Sequence, residues 1–411
     1  MKIYDAYRMG IEAGMARDLR PGPEVQRILD DARAVYDSLP EDLKELYDEE
    51  RLWNPYADSR FSVGTEKAKE LDAERMMWGI DITSAEVLLA DRLREKGQRI
   101  DAVIAHHPLG TSKTCFPEVM MQMTAMFSGM GVPEEKAYEL VKERMEKVLR
   151  GMQGYNYNQA ADAARMLDIP LFNIHAPADN MVEEFMVRKM REDDPSTLQD
   201  IIDSLMKEPE ARMAARCNSP PIILLGKPED ECGKIMVKMN GGTSFSKETY
   251  EALADAGVKT IIAMHYPDDH YEVAQKAGIN LIISGHMASD SIGVNLICDL
   301  WEKEGIEVIP CSGFTRFSRN RYDVEDRRCE HRRPGGPGSD VRVHVQQLQG
   351  LHEAVRCRAV SHRDDLSSWN TQLRLQDGRV PRVRQELSDR SAAVRACRRG
   401  HRRGRKDSNR P

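Results

Sequence analysis

Two rhythms of apolar residues alternate along the first 318 positions, and their alternation predicts an α/β protein. Short apolar runs of strand length stand at residues 101–105, 170–174, 260–264 and 281–284, with others at 74–81, 221–226, 235–239 and 307–309. Strands this short and this uniformly apolar are buried on both faces in parallel sheets. Between them the spacing turns helical. Val25, Ile28, Leu29, Ala32 and Val35 share one face over residues 24–38, and Pro40 breaks that helix. Thr83 and Glu86 make a capping box for a helix through Leu93. A long helical excursion covers 118–167, with Pro133 placed as a first helical residue. Helices are also expected over 181–190, 195–216, from about Lys247, and over 292–303.

This pattern predicts two lobes whose strand ends face a common cleft. A loop over 54–60 leads into the body, whose first strand is 74–81, and a right-handed crossover carries the chain to 101–105. The runs at 221–226, 235–239, 259–264, 281–284 and 307–309 are expected to form a second sheet. The expected domains are a helical N-terminal extension over 1–50 and a two-lobed α/β domain over 51–318, with lobes at about 51–194 and 220–318. The last segment, 319–411, stands apart.

Composition sharpens that last boundary. Residues 1–318 hold 37 Lys and Arg against 55 Asp and Glu, while 319–411 hold 22 Arg, one Lys and 12 acids. All 22 methionines precede position 319, and the last 93 residues contain no Met, Ile or Phe. Such a segment has little with which to build a core. One reading is a basic arm for nucleic acid. The preferred one is translation outside the native frame, because codons for the missing residues are AT-rich. Nucleic acid is therefore not expected as a partner unless the basic segment is genuine. No apolar run reaches membrane-spanning length, and the N-terminal Met-Lys-Ile-Tyr-Asp-Ala-Tyr does not have the form of a signal peptide. Eight scattered cysteines without a Cys-x-x-Cys point to a reducing cytoplasm.

Histidine changes the picture most. Six occur before position 319: His106, His107, His175, His265, His270 and His286. All but His270 stand where an apolar run should leave its sheet, and open α/β sheets build their sites at the carboxyl ends of strands. Asp179 and Asp290 lie four residues after His175 and His286, so a helix beginning there would put each pair on one face. Histidine with aspartate, and no clustered cysteine, suits Zn, Fe, Mn or Ni. The expected fold is thus α/β, two-lobed and mixed-sheet, with a metal site in the cleft between lobes. The glycines of Gly241-Gly-Thr-Ser244 precede a helix and read as a turn; the 151–158 loop is either a lid hinge or an ordinary connection.

Val103-Ile-Ala-His-His-Pro-Leu109, the His-x-x-x-Asp of 175–179 and Gly285-His-Met-Ala-Ser-Asp290 together resemble the NGG-interacting-factor-three-like family, also called GTP cyclohydrolase I type 2 homologues. The resemblance runs from about Asn54 to about Phe317. It implies His106, His107, Asp179, His286 and Asp290 as ligands of two divalent ions, with His175 beside them. It also implies a ring-shaped homo-oligomer. Asp290 stands where the family has a glutamate, and Ala176-Pro177 stand where it has Thr-Asn. Two function classes follow. The first is a metal-dependent hydrolase acting on a nucleotide or other ring amide, with His175, His265 or His270 moving protons. The second is a metal-binding regulatory protein without turnover.

Overall fold

A computed structural model describes residues 1–320. The expectation for the Arg-rich segment falls on residues outside this range, apart from its first two. Those two are built into the fold: Arg319 pairs with Glu210 at 2.8 Å and Glu208 at 3.2 Å, and Asn320 donates to the Asp299 carbonyl at 2.7 Å.

Among the described residues, nine strands form two mixed sheets. The first contains β1 (Phe61–Val63), β2 (Arg75–Gly79), β3 (Val103–Ala105), β4 (Leu171–Asn173) and β9 (Glu307–Cys311), in the order β1-β4-β3-β2-β9. The second contains β5 (Ile222–Leu225), β6 (Lys234–Lys238), β7 (Val258–Ala263) and β8 (Asn280–Ile283), in the order β5-β8-β7-β6. In each sheet the antiparallel pair lies at one edge, β1 on β4 and β5 on β8, and the remaining neighbours are parallel.

Two strand expectations need correcting. Residues 307–309 do not complete the second sheet; β9 pairs parallel with β2, and Arg75 meets Glu307 at 3.2 Å across the register. The cause lies in the preceding helix, His286–Lys303, which carries Trp301 beneath the first sheet. There Trp301 packs on Trp78 with ring centroids 4.8 Å apart and donates its indole N–H to the Ala6 carbonyl. The chain therefore emerges beside β2. The second correction is β1, a three-residue strand ahead of 74–81, too short to show a period-two pattern.

The helix Ile3–Met15 buries Ile3, Tyr7 and Ile11 in the same core as Trp78, Phe172 and Trp301. The long excursion 118–167 sends Met120, Met123 and Phe127 into the core of the second sheet, so its methionine run is packing. Thr83 and Glu86 form the expected capping box.

One helix crossing sets how closely two carboxylates approach. The helix Ala176–Asp193 leaves β4 carrying Asp179, and His286–Lys303 leaves β8 carrying Asp290. They meet at Gly293, where a Cβ would lie 2.3 Å from the Ala178 carbonyl oxygen. Only a residue without a side chain lets the two backbones approach this closely.

Candidate metal centre

Three of the four histidines of the centre, His106, His107 and His175, are aimed by a hydrogen bond made on the far side of the ring. The His106 and His107 amides extend the β3 ladder, donating to the carbonyls of Gly79 and Ile80 at 2.9 Å. His106 Nδ1 lies 3.1 Å from the Ile174 carbonyl oxygen. A carbonyl can only accept, so Nδ1 carries the proton and Nε2 presents a lone pair to the cleft. His175 is held the same way by Asp58, with Nδ1 at 2.6 Å from Oδ2, and its amide donates to Ser59 Oγ. His107 Nδ1 lies 2.8 Å from Asp81 Oδ1. Histidines that ligate metals are commonly oriented by such carboxylate or carbonyl partners.

The freed nitrogens converge on two carboxylates. His106 Nε2 lies 3.5 Å from Asp179 Oδ1 and 3.6 Å from Asp290 Oδ1. His107 Nε2 is 3.5 Å, and His286 Nε2 3.3 Å, from Asp290 Oδ2. His175 Nε2 is 3.8 Å from Asp179 Oδ2. His106 Nε2, Asp179 Oδ1 and both oxygens of Asp290 are buried without a hydrogen-bond donor. Acceptors therefore face acceptors, and burying such groups unpaired costs about 1–3 kcal/mol each. A cation resolves the conflict. The residues fit a divalent metal, and three overlapping groups can hold one: His106, His107 and His175; His107, His286 and Asp290; His106, Asp179 and Asp290.

Protonation equilibria carry the same signature. Burial and the neighbouring charges of Asp290 and Asp58 push the Asp179 carboxyl well above its ordinary range. Asp290 goes the other way: burial opposes ionisation, but His106, His107 and His286 around it hold the carboxyl far below. His107 loses solvation on burial, yet the nearby Asp290 carboxylate and the bond to Asp81 outweigh that and push it up to about 10. Burial takes His286 down to about 4. Perturbations of opposite sign within one cleft are a mark of a functional site.

The remaining expected residues divide. His265 is exposed beside the cluster, its ring 4.9 Å from that of His286. His270 lines the same pocket but packs against Tyr250 and Phe245, with Nδ1 3.2 Å from the Tyr250 hydroxyl. The pocket holds a cavity of about 300 Å³. The end of the helix Glu134–Met152 and the loop after it reach the pocket through Met152 and Tyr155. Three residues escape a sequence reading. Asp58 and Asp81 sit in loops, where a carboxylate looks merely solvated, and Lys238 follows the apolar run Ile235–Val237, where a lysine reads as a solvated strand end.

Fold and site together define an α/β protein with a buried histidine–aspartate centre able to hold a divalent metal ion. A NIF3 superfamily protein from Sphaerobacter thermophilus is 32% identical, with a TM-score of 0.57, over 70% of this chain and 98% of that one. The chain belongs to the NIF3 superfamily. Also similar are reduced HcgD from Methanocaldococcus jannaschii (13% identity, TM-score 0.40, 69% of this chain and 96% of that one) and a Bacillus cereus protein related to NIF3 (10%, 0.30, 69% and 96%). No family model and no curated protein matches the chain.

Proposed function

We propose that the centre takes two divalent ions, which Asp290 would help to hold through both of its oxygens, and that the protein is a metal-dependent hydrolase of a small ring-amide or nucleotide substrate. The observation that carries this reading is the division of Asp290. Its Oδ1 faces His106 while its Oδ2 faces His107 and His286, and neither oxygen has a donor. His106 and Asp179 would hold one ion, His107 and His286 the other, with His175 beside His106 and His107. Divalent ions bound there supply Lewis acidity and a nucleophile at neutral pH. The chain's own residues do the rest. His175, with its proton fixed on Nδ1 by Asp58, keeps an acceptor facing the centre. His265 stands on the pocket wall, and the partial loss of solvation there lowers its pKa, which favours the neutral imidazole that takes a proton from a bound molecule. His270, held by Tyr250, is the more distant proton carrier.

The test is an assay of metal-loaded and chelator-treated protein on a panel of nucleotides and cyclic amides. Metal-dependent ring opening or hydrolysis is expected, with His265→Ala about 10²-fold slower, the lower range for loss of a general acid or base. Full metal occupancy without turnover on any member would move the protein to the non-catalytic class.

A further inference from the structure

Lys238 ends β6 at the floor of the pocket and is only 8% exposed. Buried lysines are rare unless paired. This one has no salt-bridge partner among the described residues, and its Nζ makes one hydrogen bond, to the Thr243 carbonyl at 2.8 Å. An ammonium has three protons to give. The carboxylates it senses most are Glu183 and Asp179. Glu183 spends Oε2 on the amides of Met239 and Asn240, and Asp179 belongs to the metal centre. Burial without a paired anion pushes the Lys238 ammonium down to about 8.

The loop after β6 is built to stay close to it. Gly241 and Gly242 have φ of +91° and +71°, and a Cβ at either would lie 2.5 Å from Met123 or Phe116. Gly242, Thr243 and Ser244 line the pocket beside Lys238, and the amides of Gly242 and Ser244 have no acceptor among the described residues. A second cation, Lys113, stands on the pocket wall with its Nζ 5.4 Å from the Tyr155 ring centroid.

We infer that Lys238 and the 241–244 loop form an oxyanion subsite, so that the pocket takes a small molecule carrying a phosphate or carboxylate group, anchored there while its other end meets the histidine–aspartate centre. The inference rests on the hydrolase reading only for the statement that the far end reacts. Charge supports it. Asp179 and Asp290 offset one divalent ion and Asp81 is paired with His107, so Lys238 and Lys113 leave the loaded pocket positive. Phosphate and carboxylate share this chemistry, and both suit donors that present N–H groups to oxygen.

The test uses full-length protein, metal-loaded and metal-stripped, at constant ionic strength. Inorganic phosphate and benzoate are titrated separately by calorimetry and thermal shift, with chloride as control. At least one should bind both forms, and Lys238→Gln should weaken it at least about tenfold, as loss of a charged hydrogen bond does, with metal content unchanged. Lys238→Arg should restore part of the affinity. Binding of phosphate alone or benzoate alone assigns the group. Binding of neither, or equal affinity in Lys238→Gln, overturns the subsite, including the case where that variant merely loses stability because Lys238 pins the loop. Should Lys238→Gln fail to fold, a tungstate soak of crystals of the unsubstituted protein decides. Density beside Lys238 Nζ supports the subsite, and density elsewhere or none overturns it. The stripped-protein arm keeps the two readings separable, since failure to hold metal leaves the anion result standing.

Discussion

In the order β1-β4-β3-β2, and again in the order β5-β8-β7-β6, an antiparallel edge strand lies beside three parallel ones. Corresponding strand ends carry corresponding chemistry. The strands β4 and β8 both lead into a His-x-x-x-Asp on a helix, His175 to Asp179 and His286 to Asp290. The strands β3 and β7 lead to His106-His107 and to His265. The strands β2 and β6 differ most, since one leads to Asp81 and the other ends on Lys238. One scaffold used twice has thus been given opposite tasks. The first half supplies three of the four histidines of the metal centre, with Asp58 and Asp81 behind two of them, and suits a cation. The second adds His286 and Asp290 to that centre, and offers at its own floor a glycine loop and a cation, Lys238, with no salt-bridge partner among the described residues.

The largest effect should come from separating the halves at their crossing. Gly293→Val places a side chain against the Ala178 carbonyl and should cost about 3 kcal/mol, the upper end for overpacking, in urea denaturation. It should also lower metal content, because Asp179 and Asp290 would no longer share one centre.

Next comes the asymmetry between the two aspartates. Asp290→Ala should abolish metal retention, since its two oxygens serve both histidine groups. Asp179→Ala and His107→Ala should each lower metal content while leaving the chain folded. Equal losses in Asp290→Ala and Asp179→Ala would remove the special position given to Asp290.

The orienting carboxylates should separate more modestly. Removing such partners typically weakens metal affinity about 10–100-fold. Asp58→Asn, at a fully buried residue, should fall toward the upper end, and Asp81→Asn, at an exposed one, toward the lower end. Competition with a fluorescent chelator measures both.

The smallest effect concerns the second half alone. The folded-state pKa of Lys238 lies below the ordinary lysine value of 10.5, at about 8. Its charged form therefore costs stability below about 8, and the cost fades as pH rises from there toward 10.5. Lys238→Met should raise stability at pH 7 in phosphate-free buffer by on the order of 2 kcal/mol once the lost bond to Thr243 is counted. The gain should vanish near pH 10. A gain independent of pH would mean that Lys238 is not the buried cation described.

How much of this was legible in the sequence depends on where each signal is written. His106-His107-Pro108 and the two His-x-x-x-Asp segments were readable because strand exit, ligand and helix start are neighbours in the chain. The place of β9 was not, since it depends on Trp301 packing beneath Trp78, more than 200 residues away in sequence. The duplicated strand order was hidden as well: beyond the His-x-x-x-Asp the halves share little local pattern, and a long helical excursion interrupts the first. Asp58 and Lys238 gain meaning only from burial, which no spacing records.

The central claim is that two copies of one scaffold deliver a single shared centre for two ions. The most direct measurement is metal analysis by mass spectrometry of protein purified without added metal or a nickel column, alongside Asp290→Ala. About two divalent ions per chain are expected, as in two-metal hydrolytic sites, falling to near zero in the variant. Protein that carries no metal, whose thermal stability also ignores added zinc or manganese, would contradict the account.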